Sequence, residues 1–162
     1  MSTIYLPYTR HCFVCGAANP AGLQLRFRVE NDEIRSDFQP KSQHTGYKGV
    51  VHGGVISSAL DETMFWAAAF APRQFYVSVE LNVRYLKLVE AAQPYLLVAR
   101  VTGAKRKLQL TAAELRDQTG AICATATATF FPMRPAEVRL VADDFCDDPQ
   151  TLSPLEFFAK PQ

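Results

Sequence analysis

The sequence has neither an excess of one charge nor a long apolar run. Its 162 residues carry 17 Lys and Arg against 16 Asp and Glu, a formal net charge of +1. A nucleic-acid partner would favour a basic stripe, so we expect none. No stretch reaches the roughly 20 apolar residues of a membrane span, and residues 1–10 lack the apolar core of a secretion signal. We therefore expect a cytoplasmic protein without a membrane partner.

Cysteines are also few, and they include only one closely spaced pair, Cys12 and Cys15. Reduced thiols are expected in the cytosol. A Cys-x-x-Cys pair can hold zinc or can form a local turn. Tetrahedral structural zinc needs four ligands, no second pair follows, and His11 is poorly placed beside Cys12. We predict a turn, with no metal and no cofactor.

The pattern of the chain is that of one domain with two flanking segments. A hydrophobic content of 48% is ordinary for a globular protein. We predict an N-terminal segment at 1–22, a main domain at 23–131 and a C-terminal appendage at 132–162. The appendage is rich in Pro and Asp, with a short helix at Pro154–Phe158.

Periodicity within the main domain predicts one helix and an antiparallel sheet. Apolar residues recur at helical spacing over Gly54–Phe70, and Pro72 stops the helix. A hairpin over Leu23–Phe38 turns at Asn31-Asp32, and Pro40–Gly49 has the composition of a loop. Strands are expected at Tyr76–Lys87, Tyr95–Ala104, Leu108–Arg116 and Ala121–Phe131. The fold class is therefore α+β, a curved sheet wrapped around one long helix.

Polar chemistry concentrates at the start of this helix and in its middle. Gly53 and Gly54 leave backbone N–H groups free for a developing oxyanion, or they merely allow close packing. Asp61 lies in apolar surroundings, where a carboxylate needs a function or a partner, although a solvated helix acid is the alternative. Glu62 points about 100° away, so only one of the two acids is expected to face a given site.

The spacing of these groups has a consequence for assembly. Gly53 and Asp61 are separated by roughly 12 Å along one helix, so one small carbonyl cannot touch both. If both act on the same carbonyl, they come from different copies of the chain across a two-fold axis. We expect a homodimer, or a dimer of such dimers.

Several segments of the sequence together carry a family resemblance. The main one is Gly46-Tyr47-Lys48-Gly49-Val50-Val51-His52-Gly53-Gly54 with Asp61 seven residues later. The others are Cys12-Phe13-Val14-Cys15-Gly16, Asn19-Pro20-Ala21-Gly22-Leu23 and Val77-Ser78-Val79-Glu80-Leu81-Asn82. They resemble the hotdog thioesterases of the phenylacetate-pathway (PaaI-like) type: the two N-terminal segments are similar to the start of one branch, and the last segment is similar to the family's third strand. The likeness covers about residues 12–131.

The resemblance implies a hotdog fold and hydrolysis of an acyl-CoA thioester without a cofactor. It makes Asp61 the nucleophile or general base, with Ser78 beside it to hold the water. Gly53 N–H would polarise the carbonyl, His52 would shape the turn, and Gly54 would also contact the substrate. Many relatives carry Asn or Gln where this chain has Gly46, which leaves His44 or Thr45 as substitutes for that contact.

The phosphates of coenzyme A could meet the basic turn at Lys105, Arg106 and Lys107, or Arg84 and Lys87, and a solvated turn is the alternative. A non-catalytic acyl-CoA-binding or regulatory protein on the same fold is the main rival function. A dehydratase would want a catalytic His beside its acid, and no such motif is present.

Overall fold

A seven-stranded antiparallel sheet wraps around one long helix in the computed structural model, which describes residues 3–158. The strands are β1 (Ile4–Tyr5), β2 (Arg28–Glu30), β3 (Glu33–Phe38), β6 (Tyr76–Tyr85), β7 (Tyr95–Lys105), β8 (Leu108–Arg116) and β9 (Ile122–Pro132), and β4 (Thr45–Tyr47) and β5 (Val50–Val51) form a small separate hairpin. The helices are α1 (Gly53–Phe70), α2 (Pro135–Ala142) and α3 (Pro154–Phe158).

The sheet order is β1-β2-β3-β7-β8-β9-β6. Strands β7, β8 and β9 form the expected meander. Strand β6 precedes them in sequence yet pairs only with β9 among the described strands, so it lies at an edge of the sheet. Ten residues of backbone are thus exposed on one side of β6. Side chains on this edge include the exposed Val77, Val79 and Leu81.

Helix α1 is buried along most of its length because apolar or small residues occupy nearly every turn. Ala59, Leu60, Met64 and Ala68 have no exposed surface. The small residues of β9, such as Ala124 at 0% exposure, let the helix lie close to the sheet. Burial of apolar surface on this scale is the main stabilising contribution to such a core.

The two flanking segments meet beside the C-terminal half of α1. Thr9 and Phe145 form an isolated antiparallel bridge, and Arg10 N–H donates to the Asp144 carbonyl at 2.9 Å. In the appendage, Phe157 is buried and packs edge-on against Trp66 with ring centroids 5.7 Å apart. Both segments therefore form walls of the structure around this part of the helix.

The predicted fold class, α+β with a curved antiparallel sheet around a central helix, is confirmed. The hairpin turns at Asn31 and Asp32, whose φ angles are 52° and 62°. The prediction that 40–49 is a loop is wrong for part of this segment, which contains a 3-10 turn at Ser42–His44 and strand β4. Helix α2 was not predicted, because its eight residues bury none of their side chains and carry a weak pattern. No helix among residues 3–158 is long and apolar enough to cross a membrane.

Candidate active site

The predicted acid lines a cavity of about 510 Å³, here called the acid cavity. It opens between α1, β6 and the two flanking segments. Its lining residues are mostly apolar, with two acids and two cysteines among them: Thr9, Cys12, Cys15, Asp61, Glu62, Phe65, Trp66, Phe75, Tyr76, Val77, Ser78, Phe130, Met133, Val141 and Phe145.

Asp61 lies in this cavity and forms no ion pair with a basic side chain among residues 3–158. Burial raises the pKa of its carboxyl, and the nearby Ser78 hydroxyl partly offsets this by favouring the ionised form. The Oδ1 atom of Asp61 is buried and has no hydrogen-bond partner within residues 3–158. A buried acceptor costs about 1–3 kcal/mol when it is unpaired, so this oxygen is available to a ligand or to water.

Glu62 lines the same cavity, which corrects the expectation that only one of the two acids faces a given site. The side chain of Glu62 reaches the N-terminal segment, where Oε2 accepts a hydrogen bond from Cys12 Sγ at 3.0 Å. Burial raises the pKa of Glu62 well above its ordinary value. The roughly 100° between successive residues separates their Cβ directions, but both directions point into one wide cavity.

The donors predicted at the helix start lie elsewhere. His52 caps α1, and its Nδ1 accepts a hydrogen bond from Gly54 N–H at 2.9 Å, so this donor is already paired. Gly53 N–H makes no hydrogen bond within the described residues. Tyr85 covers the turn, since its hydroxyl donates to the Gly53 carbonyl at 3.0 Å and lies 2.6 Å from Ser57 Oγ.

A second cavity of about 450 Å³, here called the helix-start cavity, contains Gly53 and His52. It is lined by Gly46, Tyr47, Val50, Val51, His52, Gly53, Ile56, Tyr85, Lys87, Leu88 and Val89. None of these residues lines the acid cavity. Within one chain, Asp61 and Gly53 therefore do not share a site.

Many relatives carry Asn or Gln at the position of Gly46. The proposed substitutes for that side chain, His44 and Thr45, are engaged in local contacts. His44 is buried, its Nδ1 accepts from Lys41 N–H at 3.0 Å, and burial lowers its pKa. Thr45 Oγ1 donates to the Ser42 carbonyl at 2.9 Å. A side chain at Gly46 would begin 3.1 Å from the His52 ring, so the imidazole lies in the space beside this position. His44 and Thr45 line neither cavity.

The basic turn between β7 and β8 adjoins the acid cavity. Lys105, Arg106 and Lys107 are exposed and form no ion pair within residues 3–158. A surface cleft of about 610 Å³ runs beside Arg106 and Lys107, and it shares Tyr76 and Met133 with the acid cavity. Lys87, the alternative phosphate ligand, lines the helix-start cavity instead. Its Nζ atom lies 3.8 Å from Asp117 Oδ2.

Sequence reasoning missed the convergence of Cys12, Cys15 and Glu62. Cys12 and Glu62 are 50 positions apart, so no local spacing rule joins them. The Cys12 thiol has a pKa lowered to about 5, first through its hydrogen bond with Cys15, while the pKa values of Cys15 and Glu62 are raised. The available signal was the Cys-x-x-Cys pair together with an acid on an otherwise apolar helix.

Comparisons with known proteins agree with this architecture. Residues 48–124 match the model of the thioesterase superfamily. An uncharacterised protein of Schizosaccharomyces pombe is 31% identical over 108 residues, covering 64% of this chain and 61% of that protein. The chain thus spans about three fifths of the length of this relative.

Solved structures share the fold. A thioesterase superfamily protein superposes with a TM-score of 0.70 at 23% identity, covering 75% of this chain and 63% of the other. A Streptococcus mutans protein, solved bound to acetyl-CoA, has a TM-score of 0.60 at 20% identity, covering 65% of this chain and 84% of the other.

The α+β sheet around one helix is the hotdog fold of these solved structures, and residues 48–124 resemble the thioesterase superfamily. The resemblance inferred from the sequence is thereby confirmed at the level of superfamily and fold. The roles of Asp61, Gly53, His52, Ser78, Gly54, His44, Lys105 and Arg106 stay predictions.

Proposed function

We propose that this chain is an acyl-CoA thioesterase of the PaaI-like type, in which Asp61 drives hydrolysis of the thioester. The observation that carries the proposal is the unpaired, buried Oδ1 of Asp61 in a mostly apolar cavity. An acyl chain fits such a lining, and the free carboxyl oxygen can address the carbonyl at its end. Perturbed acids in clefts are frequent at functional sites.

The reaction needs no cofactor in this proposal. In its ionised form, Asp61 takes a proton from water while the water oxygen attacks the thioester carbon; the C–S bond then breaks, and the coenzyme A thiolate leaves and takes up that proton. In the alternative, the Asp61 carboxylate attacks the carbon and expels the coenzyme A thiolate, and water then hydrolyses the resulting anhydride. Ser78 favours the ionised form, because its hydroxyl lowers the pKa that burial raises. Burial otherwise works against ionisation, so the balance between these two effects sets the fraction of active carboxylate.

The oxyanion donor in this proposal is Gly53 N–H of a second chain. Its N–H is unpaired within residues 3–158, and it lies at the positive end of an 18-residue helix. Because the acid cavity and the helix-start cavity share no lining residue, one chain alone does not present both groups to a single carbonyl. An antiparallel pairing of two α1 helices would bring the donor of one beside the acid of the other.

The unpaired edge of β6 supports this assembly. An exposed strand edge is a template for pairing with another chain, and this one is ten residues long and carries exposed Val77, Val79 and Leu81. Edge-to-edge pairing through β6 would also bring the two α1 helices together, since α1 packs against β6. We therefore propose a homodimer, or a dimer of such dimers.

The basic turn is the proposed site for the phosphates of coenzyme A. Arg106 and Lys107 line a cleft that shares Tyr76 and Met133 with the acid cavity, and Lys105 lines a neighbouring cleft together with them. A ligand with an apolar acyl end and a phosphorylated end would follow this path. The fold neighbour from Streptococcus mutans, which binds acetyl-CoA, makes a coenzyme A ester a reasonable ligand class.

The rival function is acyl-CoA binding without turnover. Hydrolysis assays across short, medium, long and aromatic acyl-CoAs, together with calorimetric binding of the same compounds, separate the two. The aromatic lining of the acid cavity leads us to expect turnover of medium-chain or aromatic esters. Tight binding with no release of free coenzyme A from any ester would favour the binding protein. A cytoplasmic location and the absence of a nucleic-acid partner stay predictions.

A further inference from the structure

Three metal-ligating groups converge on one wall of the acid cavity. The Sγ atoms of Cys12 and Cys15 and a carboxylate oxygen of Glu62 all lie within 4.8 Å of one another. In tetrahedral zinc, Zn–S bonds of about 2.3 Å and Zn–O bonds of about 2.0 Å place neighbouring ligand atoms about 3.5–3.8 Å apart. Changes of no more than about 1.3 Å in the distances between ligand atoms that now lie too far apart would bring the cluster to that geometry.

The backbone around the two cysteines already has the shape of a metal-binding turn. Val14 N–H donates to Cys12 Sγ at 3.2 Å, and Gly16 N–H donates to the Cys12 carbonyl at 2.9 Å. A Cβ on Gly16 would lie 2.2 Å from that carbonyl oxygen, so only glycine fits this close approach. The turn holds both sulfur atoms on the side that faces Glu62, and an N–H···S hydrogen bond stabilises a thiolate.

Electrostatics leave this cluster in need of a cation. Glu62 forms no ion pair with any Lys, Arg or His among residues 3–158, although its side chain is partly buried and Asp61 is adjacent. A partly buried carboxylate without a cationic partner favours a bound proton or a bound metal. Two thiol ligands favour zinc over magnesium or calcium, which prefer oxygen ligands.

We propose that Cys12, Cys15 and Glu62 bind one zinc ion, leaving a fourth coordination position open toward the acid cavity. The expectation of no metal rested on the lack of a second Cys pair and the poor position of His11, whereas the fold supplies Glu62 from 50 residues away. The ion would tie the N-terminal segment to α1 and so complete the cavity wall. This site does not rest on the proposed hydrolysis, because it follows from the ligand geometry alone.

The test is metal binding by the full-length protein, reduced and stripped of metal. Titration with Zn²⁺ is expected to saturate at one equivalent per chain. Co²⁺ is expected to give thiolate-to-metal charge-transfer absorption and the intense visible bands of a tetrahedral site. Cys12→Ser, Cys15→Ser and Glu62→Gln should each lower the affinity at least tenfold.

Matched controls keep the result interpretable. Cys123→Ser and Cys146→Ser change the other two cysteines and should bind zinc as the wild type does. Circular dichroism of every variant checks that it is folded. The proposal is overturned if the reduced wild type binds neither ion, or if stoichiometric binding persists in all three ligand variants.

Discussion

The start and the middle of α1 carry opposite kinds of polar group in different surroundings. Near the middle, Asp61 lies in a mostly apolar cavity with an oxygen that no described residue pairs. At the start, Gly53 lies in a half-buried turn, where His52 pairs the neighbouring Gly54 N–H and Tyr85 covers the backbone. The Asp61 carboxyl is costly to ionise and lacks the proposed oxyanion donor among the described residues of its cavity. The Gly53 N–H is held in place by the helix but has no acid among those that line its own cavity.

This difference indicates that neither the Asp61 position nor the Gly53 position is a complete site by itself. A carboxylate activates water but does not stabilise the oxyanion that then forms. A backbone donor stabilises the oxyanion but does not activate water. Since the two cavities share no residue, the chain is expected to combine them only through a second copy. Four predictions test this contrast, in order of decreasing effect.

Removing the acid should have the largest effect. Asp61→Asn is expected to lower kcat at least about a hundredfold, because a positioned acid–base group contributes roughly that much. Steady-state kinetics and a thermal melt measure this. Asp32→Asn is the control, since it makes the same charge change in a distant turn where φ is 62°. Unchanged turnover by Asp61→Asn would remove the acid from the mechanism.

Hybrid dimers test whether Asp61 of one chain acts together with Gly53 N–H of the other. Gly53→Pro removes the backbone N–H at residue 53. Proline suits this position because it is the first of the helix. The preceding residue, His52, has a ψ of 135°, which is the extended conformation that a residue before proline prefers. After reversible dissociation and equal mixing with Asp61→Asn, about a quarter of wild-type activity should return, although each parent is inactive.

Gly53→Ala, which keeps the N–H, controls for added bulk, because a Cβ there would meet the Tyr85 ring at an ordinary 3.4 Å. Mass spectrometry verifies that hybrids form. Hybrids that form without recovering activity would show that each site is built within one chain.

Ser78→Ala should lower kcat about tenfold with little change in KM. The hydroxyl favours the ionised form of Asp61, and loss of one hydrogen bond to a charged group is worth about 1.5–3 kcal/mol. Ser58→Ala is the matched control, because its hydroxyl donates to the Gly54 carbonyl on the same helix. Equal effects from both variants would reduce Ser78 to a structural role.

The smallest effect is expected at the basic turn. Arg106→Asn should raise KM for acyl-CoA several-fold, because an exposed cation contributes little and is screened by salt. Asn suits the φ of 56° at this position. KM for an acyl thioester that lacks the nucleotide should not change, and Arg139→Asn on α2 is the charge-matched control. A rise in KM for both substrates would place the phosphates elsewhere.

Much of the fold could be predicted because its signals are local. The helical spacing over 54–70 and the alternation in the later strands depend on neighbours along the chain, and both elements formed within two residues of the predicted bounds. Helix α2 and the hairpin of β4 and β5 were not predicted, because short elements with little buried surface carry weak sequence patterns. The position of β6 at the edge of the sheet, beside β9, was also not predicted, because strand pairing joins residues that are distant in sequence.

The sequence by itself determined the class of chemistry available: one helix with glycine donors at its start and a carboxylate eight residues later, on a chain with the thioesterase pattern. Only the tertiary structure decided that Asp61 and Glu62 line one cavity, that Cys12 reaches Glu62, and that Gly53 opens into a separate cavity. The reason is physical. Helix propensity and capping act over a few residues, whereas a cavity is defined by side chains that sheet pairing and core packing bring together from the whole chain.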